Sequence, residues 1–262
     1  MLELKNVTKI FNRGSVDMKV ALNGLNLTLN DGDYVTVIGS NGAGKSTMLN
    51  AIAGTFQVDE GQILIDGKDI SKMPEHKRAT FLGRVFQDPK MGTAGDMNIE
   101  ENLAIANRRG KKHTLRWGIR KDERVKFKAM LEKLGLGLEN RLESKVKLLS
   151  GGQRQAVTLL MAAMNNPSLF LLDEHTAALD PKTAAIVLDI TDEIVQSNHL
   201  TTLMVTHNMR DAISHGNRLI MMSEGRIVID VSGEEKKNLT VEQLVSMFSK
   251  VTEAGLSDKA IL

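Results

Sequence analysis

Nine consecutive residues, Gly39-Ser40-Asn41-Gly42-Ala43-Gly44-Lys45-Ser46-Thr47, fit the spacing G-x-x-x-x-G-K-[ST]. Glycines let a backbone wrap close to phosphate groups and turn its N–H groups toward them. A helix opening at the end of such a loop adds a partial positive charge. In that role Lys45 would reach the β- and γ-phosphates of a nucleoside triphosphate, and Ser46 would ligate Mg²⁺. A second group of residues could act on the same substrate. The apolar run 169–172 ends in Asp173-Glu174. Asp173 could hold Mg²⁺, directly or through water, and Glu174 could position and polarise an attacking water. By itself that carboxylate pair reads equally well as a capping or surface pair. A third group, Leu149-Ser150-Gly151-Gly152-Gln153, stands before an expected helix over 154–164. Taken alone, it reads as an N-cap serine with a glycine turn.

These groups need rigid elements to hold them. Residues 34–38 are a short apolar strand running into the glycine-rich loop, and Met48, Leu49, Ile52 and Ala53 recur at helical spacing after it, with Gly54 as C-cap. The run 169–172 is continuous and apolar, as in a strand buried on both faces. Leu25, Leu27 and Leu29 alternate with polar residues, and residues 61–65 form a further strand. From about 98 to 149 the pattern is helical. Asn98 caps a first turn holding Glu100 and Glu101, and Phe127, Met130, Leu131 and Leu134 form one stripe closed by Gly135. Asp180-Pro181 is an N-cap and N1 pair ahead of an apolar face built on Val187, Leu188, Thr191, Ile194 and Val195. A strand spans 203–205, a hairpin 218–229 turns at Glu224-Gly225, and an amphipathic helix lies around 241–248. The expected architecture is α/β with a small antiparallel sheet and a helical insertion.

Composition narrows the class. The chain has 262 residues, 42% hydrophobic and 25% charged, which is enough to bury a sizeable core. No apolar run approaches the roughly 20 residues needed to span a bilayer, and the first ten residues carry no signal-peptide pattern. With no cysteine there is no disulfide framework and no thiolate metal site. A net charge of +2 gives no ground for a nucleic-acid partner. The 14 methionines sit in apolar segments and read as core filler.

The sequence Leu149-Ser150-Gly151-Gly152-Gln153 upstream of an apolar strand and Asp-Glu, with the phosphate loop before it, resembles the ABC ATPases from about residue 2 to 230. The resemblance implies a P-loop ABC ATPase fold with a RecA-like core, an antiparallel β subdomain and an α-helical subdomain. Its domain would span 1–231, with the helical subdomain inserted at about 90–150 and a short helical tail over 232–262. It implies ATP hydrolysis in a head-to-tail homodimer. Each site would join the phosphate loop of one chain to Ser150 and Gly152 of the other, beside Gly151 and Gln153, with ATP bridging the two. Phe11 matches the residue that stacks on adenine, although it reads equally as a core residue of an N-terminal strand. Gln87 matches the glutamine that touches Mg²⁺ and borders a transmembrane partner. His207 matches the histidine near the γ-phosphate, and Asp180 matches an aspartate that meets the opposite protomer while also capping its own helix.

In two places the chain departs from the family. His175 stands where proline usually follows the catalytic glutamate, and Ala177 stands where serine usually precedes Ala-Leu-Asp. Neither deletes a catalytic group. The stretch 173–184 resembles the ATPases of importers that use a lipoprotein-type binding protein for aromatic amino acids or related small solutes. The expected partners are therefore transmembrane permease subunits and an extracytoplasmic solute-binding protein, with the chain peripheral on the cytoplasmic face of the cell membrane. A soluble ABC ATPase, for example of the iron–sulfur assembly type, is the alternative. Finally, Arg108, Arg109, Lys111, Lys112, Arg116, Arg120 and Lys121 surround Trp117. That run reads as a solvated basic loop or as a contact with anionic lipid.

Overall fold

Alternating apolar residues at the start of the chain pair into a sheet. A computed structural model describes residues 1–111 and 118–259. In chain order it begins with β1 (Leu2–Phe11), β2 (Lys19–Leu29), β3 (Tyr34–Gly39), α1 (Lys45–Ala53), β4 (Glu60–Ile65) and β5 (Lys68–Asp69). Next come α2 (Glu75–Arg78), β6 (Leu82–Val85), α3 (Ile99–Asn107), α4 (Lys121–Glu132), α5 (Gly151–Ala163), β7 (Leu169–Asp173) and α6 (Pro181–Ser197). The last are β8 (Thr202–Val205), α7 (Met209–Ser214), β9 (Arg218–Ser223), β10 (Arg226–Ser232), α8 (Gly233–Lys237) and α9 (Val241–Lys259). The chain divides into two compact units, one of residues 1–72 and 203–262 and the other of residues 73–202.

In the first unit, β2-β1-β4-β5 form a sheet in which each neighbouring pair is antiparallel. The strands β10-β9-β3-β8 lie in that order in a second layer, with β3 parallel to β9. All of β3 except its last residue is buried, as its largely apolar run requires. Its one polar member, Thr36, is fully buried and donates to the Ala212 carbonyl at 2.8 Å. Arg218 ties the layers together. Its guanidinium forks onto both carboxylate oxygens of Asp230 at 2.7 and 2.6 Å and donates to the Thr28 carbonyl at 2.7 Å. Leu244 of α9 is fully buried in a cluster with Ile38, Ala212, Leu219, Met221, Ile229 and Val231. Lys236 is buried too, with its ammonium donating to the carbonyls of His215 and Gly216. No sequence pattern announced that lysine.

The second unit pairs β6 with β7 in parallel, and all of β7 but Asp173 is buried. Gly83 of β6 admits the close approach of α5, since a Cβ there would stand 2.4 Å from the Ala162 carbonyl. Asn98 caps α3 in a reciprocal box, its N–H donating to Glu101 at 2.6 Å. Asn102 is buried and holds the preceding loop through Ala94, accepting its N–H at 2.8 Å and donating to its carbonyl at 3.1 Å. Phe127 and Leu131 form the buried seam of α4. The helix expected from residue 154 begins at Gly151, because Ser150 caps it three residues earlier. Within the basic run, Lys112, Arg116 and Trp117 lie outside the described residues. Arg108 pairs with Glu123 at 3.0 Å, and Arg109 donates to the Ala162 and Met164 carbonyls at 2.9 and 3.0 Å. Those two arginines hold the unit together from within, in contrast to a wholly solvated loop.

Candidate functional site

The glycine-rich loop occupies the turn from β3 into α1. Gly39 and Gly44 have φ of 149° and 103°, and a Cβ would lie 2.3 Å from the Met222 carbonyl at the first and 2.5 Å from the Ala21 carbonyl at the second. Both positions therefore require glycine. The first helical bond of α1 runs from Met48 N–H to the Gly44 carbonyl at 2.8 Å. The N–H groups of Ser46 and Thr47 come ahead of it, and Gly44 supplies no side-chain cap. This helix end is built to receive an anion. Lys45 is buried, and its ammonium folds back onto the carbonyls of Gly39 and Ser40 at 2.7 and 3.2 Å. A brace lies beneath the loop. Gly225, in the turn between β9 and β10, donates its N–H to the Ala43 carbonyl at 3.0 Å and accepts from Asn23 at 3.1 Å. The sequence foretold the hairpin but not this support.

Phe11 ends β1 half-buried, so it is not a core residue. It meets Phe56 edge to face with ring centroids 5.4 Å apart, and the Lys9 ammonium lies 5.5 and 5.3 Å from the two rings. Phe56 is a member of this aromatic corner that the sequence did not mark. Asp59 pins the corner by accepting Ile10 N–H at 2.7 Å, and that bond holds its carboxyl below the usual range. His207 follows β8 and is exposed. Thr206 N–H reaches the Val37 carbonyl at 3.0 Å, so β8 and β3 end side by side and His207 emerges at the loop's edge of the layer. Beside it burial pushes Asp211 above its ordinary value, against the pull of His215 and His207. Phe11, the phosphate loop and His207 thus belong to the first unit.

The second unit carries the remaining residues. Asp173 ends β7 with its carboxylate 3.6 Å from the Arg84 guanidinium. Burial lowers the Arg84 pKa, with Asp173 pulling it back. The same guanidinium stacks 4.6 Å over Phe86, whose carbonyl accepts from the buried Gln155 at 3.3 Å. Gln87 follows, exposed. Glu174 is half-exposed and takes φ +44°, unusual for a residue with a side chain. Ser150 and Gln153 cap α5 reciprocally, each N–H to the other's side-chain oxygen at 3.3 Å. Gly152 lets α5 close on α6, because a Cβ would fall 2.1 Å from Thr183 Cγ2. Asp180 caps α6, accepting Thr183 N–H at 3.1 Å, and the Thr183 side chain, together with that N–H, keeps its carboxyl low. The helix-capping readings of Ser150 and Asp180 are therefore realised. The caps sit at adjacent helix ends, since a Cβ on Gly151 would touch Leu179 at 3.2 Å.

A phosphate-binding loop, a strand leading into two carboxylates and a serine-capped signature helix that opens on two glycines define a P-loop ATPase of the ABC type. The family described as "ABC transporter" matches residues 22–177. A tyrosine transport ATP-binding protein of Clostridioides difficile is 44% identical over 248 residues, covering 95% of this chain and 98% of the relative. A solved ATP-binding cassette of an ABC transporter, in its ADP conformation, superposes with a TM-score of 0.77 at 29% identity, covering 95% of this chain and 98% of that one. A dimeric cassette in a post-hydrolysis state, bound to ADP and Pi, gives 0.75 at 29% identity over 88% and 98%. The chain belongs to the ABC transporter family. It is an ATP-binding subunit and an ATP hydrolase of the ABC type.

Proposed function

We propose that this ATPase powers an importer of an amino acid or a related small solute, as a peripheral subunit on the cytoplasmic face of the cell membrane. The observation that carries the reading is the 44% identity, along nearly the whole of both chains, to an ATP-binding protein of tyrosine transport. No helix among the described residues is long and apolar enough to cross a membrane, so the reading requires separate permease subunits. The second unit offers a place for them. A cavity of about 460 Å³ beside the Gln87 loop is lined by Arg84, Phe86, Met91, Ile105, Arg109 and Thr158. Met91 and Ile105 are 69% and 55% exposed, apolar surface suited to a permease loop.

In this reading Phe11 stacks on adenine, the N–H groups of residues 39–47 and the Lys45 ammonium hold the β- and γ-phosphates, and Glu174 orients the attacking water. His207 contacts the γ-phosphate. Ser46, Asp173 and Gln87 supply a hydroxyl, a carboxylate and an amide oxygen, the hard donors that Mg²⁺ takes. Mg²⁺ would neutralise charge between the β- and γ-phosphates. Ser150 and Gly152 of a second copy complete each site at the α5 N-terminus, Gly151 and Gln153 shaping that helix end and Asp180 facing the partner. An extracytoplasmic solute-binding lipoprotein belongs to the same system. Purification of the tagged chain from native membranes in mild detergent, with mass spectrometry of its partners, tests the reading. A multi-span membrane protein with a binding lipoprotein is the expected result. Soluble partners alone would return the chain to the soluble ABC ATPases.

A further inference from the structure

We propose that His175 is a positioning residue for Glu174, acting through its hydrogen bond to Thr191 on α6. The proposal rests on the reading of Glu174 as the residue that orients water. At φ +44° Glu174 lies in the left-handed region, which a residue with a Cβ keeps only when its surroundings impose it. On its N-terminal side stands β7, where Asp173 faces Arg84 at 3.6 Å. On its C-terminal side stands His175, only 2% exposed, with Nε2 3.0 Å from Thr191 Oγ1. The Thr191 hydroxyl gives its own proton to the Val187 carbonyl at 2.7 Å. At Thr191 the imidazole is therefore the donor, with its proton on Nε2. Thr191 is itself fully buried on a helix of 17 residues, so the acceptor is rigid.

The turn that follows is closed as well. Ala177 N–H returns to the Glu174 carbonyl at 3.0 Å, and Leu179 N–H to Thr176 at 3.1 Å. Asp180 then caps α6. The tether at Thr191 fixes where the Cα of His175 lies. That in turn fixes the plane of the 174–175 peptide and the direction in which the Glu174 carboxylate leaves the backbone. Filling space would ask only for a ring of the right volume. Positioning asks for the N–H at the right distance, and the two demands can be separated.

The test uses the full chain with His175→Phe, His175→Gln, Thr191→Val and Glu174→Gln, following kcat and KM for ATP and thermal unfolding. His175→Phe and Thr191→Val are expected to lower kcat about tenfold, with KM for ATP unchanged. His175→Gln, which restores an N–H of similar reach, is expected to recover most of the turnover that Phe loses. The double variant His175→Phe with Thr191→Val should be no slower than either single one. Wild-type kcat in folded His175→Phe, or in Thr191→Val should the Phe variant not fold, would overturn the proposal. Equal losses in Phe and Gln would overturn it as well. Glu174→Gln separates the two failures. If that variant turns over normally, the Glu174 reading fails. If it is inactive while His175→Phe and Thr191→Val are not, only the positioning role fails.

Discussion

Asp211 shows how one side chain's surroundings set a measurable property. Burial raises its pKa above the ordinary 3.8, although His215 and His207 pull it down. The folded chain therefore holds this proton more tightly than the unfolded chain. Between the ordinary and the raised value the native state binds more protons, so stability falls as pH rises through that window. Ionised Asp211 is a standing cost above it and none below about pH 4. Asp211→Asn should raise the melting temperature at pH 7 and narrow or close its advantage at pH 4. Melting curves at the two pH values check this, and an equal shift at both would contradict the assignment. A similar contrast between surroundings governs the carboxylates of the second unit. Asp173 has Arg84 for company, while Asp180 is held low by the Thr183 end of a helix.

At the scale of elements, the observed caps and the proposed site make separate demands on the same helix starts. Ser150 and Gln153 satisfy each other's backbone at the start of α5, which is sound local chemistry in any protein. The proposed function asks the same helix end to face a γ-phosphate. Two substitutions separate the roles. Ser150→Ala removes the cap and should cost about 1 kcal/mol of stability. Ser150→Asp keeps a good capping oxygen but sets a negative charge toward the nucleotide, so the melting temperature should hold while ATPase activity falls. Normal turnover in Ser150→Asp would confine Ser150 to capping. The brace from Gly225 to Ala43 belongs to this scale too. A hairpin turn far along the chain carries the phosphate loop, which a reading of either segment alone does not reveal.

At the scale of the molecule, the proposed composite site makes ATP a ligand of two chains at once. A ligand that binds only the paired state stabilises it by mass action. Glu174→Gln with ATP should therefore run as a dimer on gel filtration, and with ADP as a monomer. Wild-type chain under turnover should return to monomer as ATP is consumed. A Glu174→Gln chain that stays monomeric at saturating ATP would remove the composite site.

The sequence by itself determined the local elements, because their causes are local. Largely apolar runs made β3 and β7, the Asn98 and Asp180 caps started α3 and α6, and Gly54 stopped α1. The phosphate loop was legible for the same reason, since its chemistry demands glycines and a lysine at fixed spacing. The carboxylate pair and the Ser150 segment were ambiguous alone and gained meaning only from their order along the chain. Other features depended on residues distant in sequence. Phe56 beside Phe11, Gly225 under Ala43, Arg84 against Asp173 and Lys236 within the first unit are pairings that no periodicity encodes. The departure at His175 shows the difference most clearly. In the sequence it is an unexplained substitution next to a carboxylate. In the folded chain it is a buried donor whose acceptor, Thr191, lies sixteen residues on and within reach. The turn at 174–180 and about three turns of α6 separate the two along the chain, and only the packing of α6 brings them to 3.0 Å.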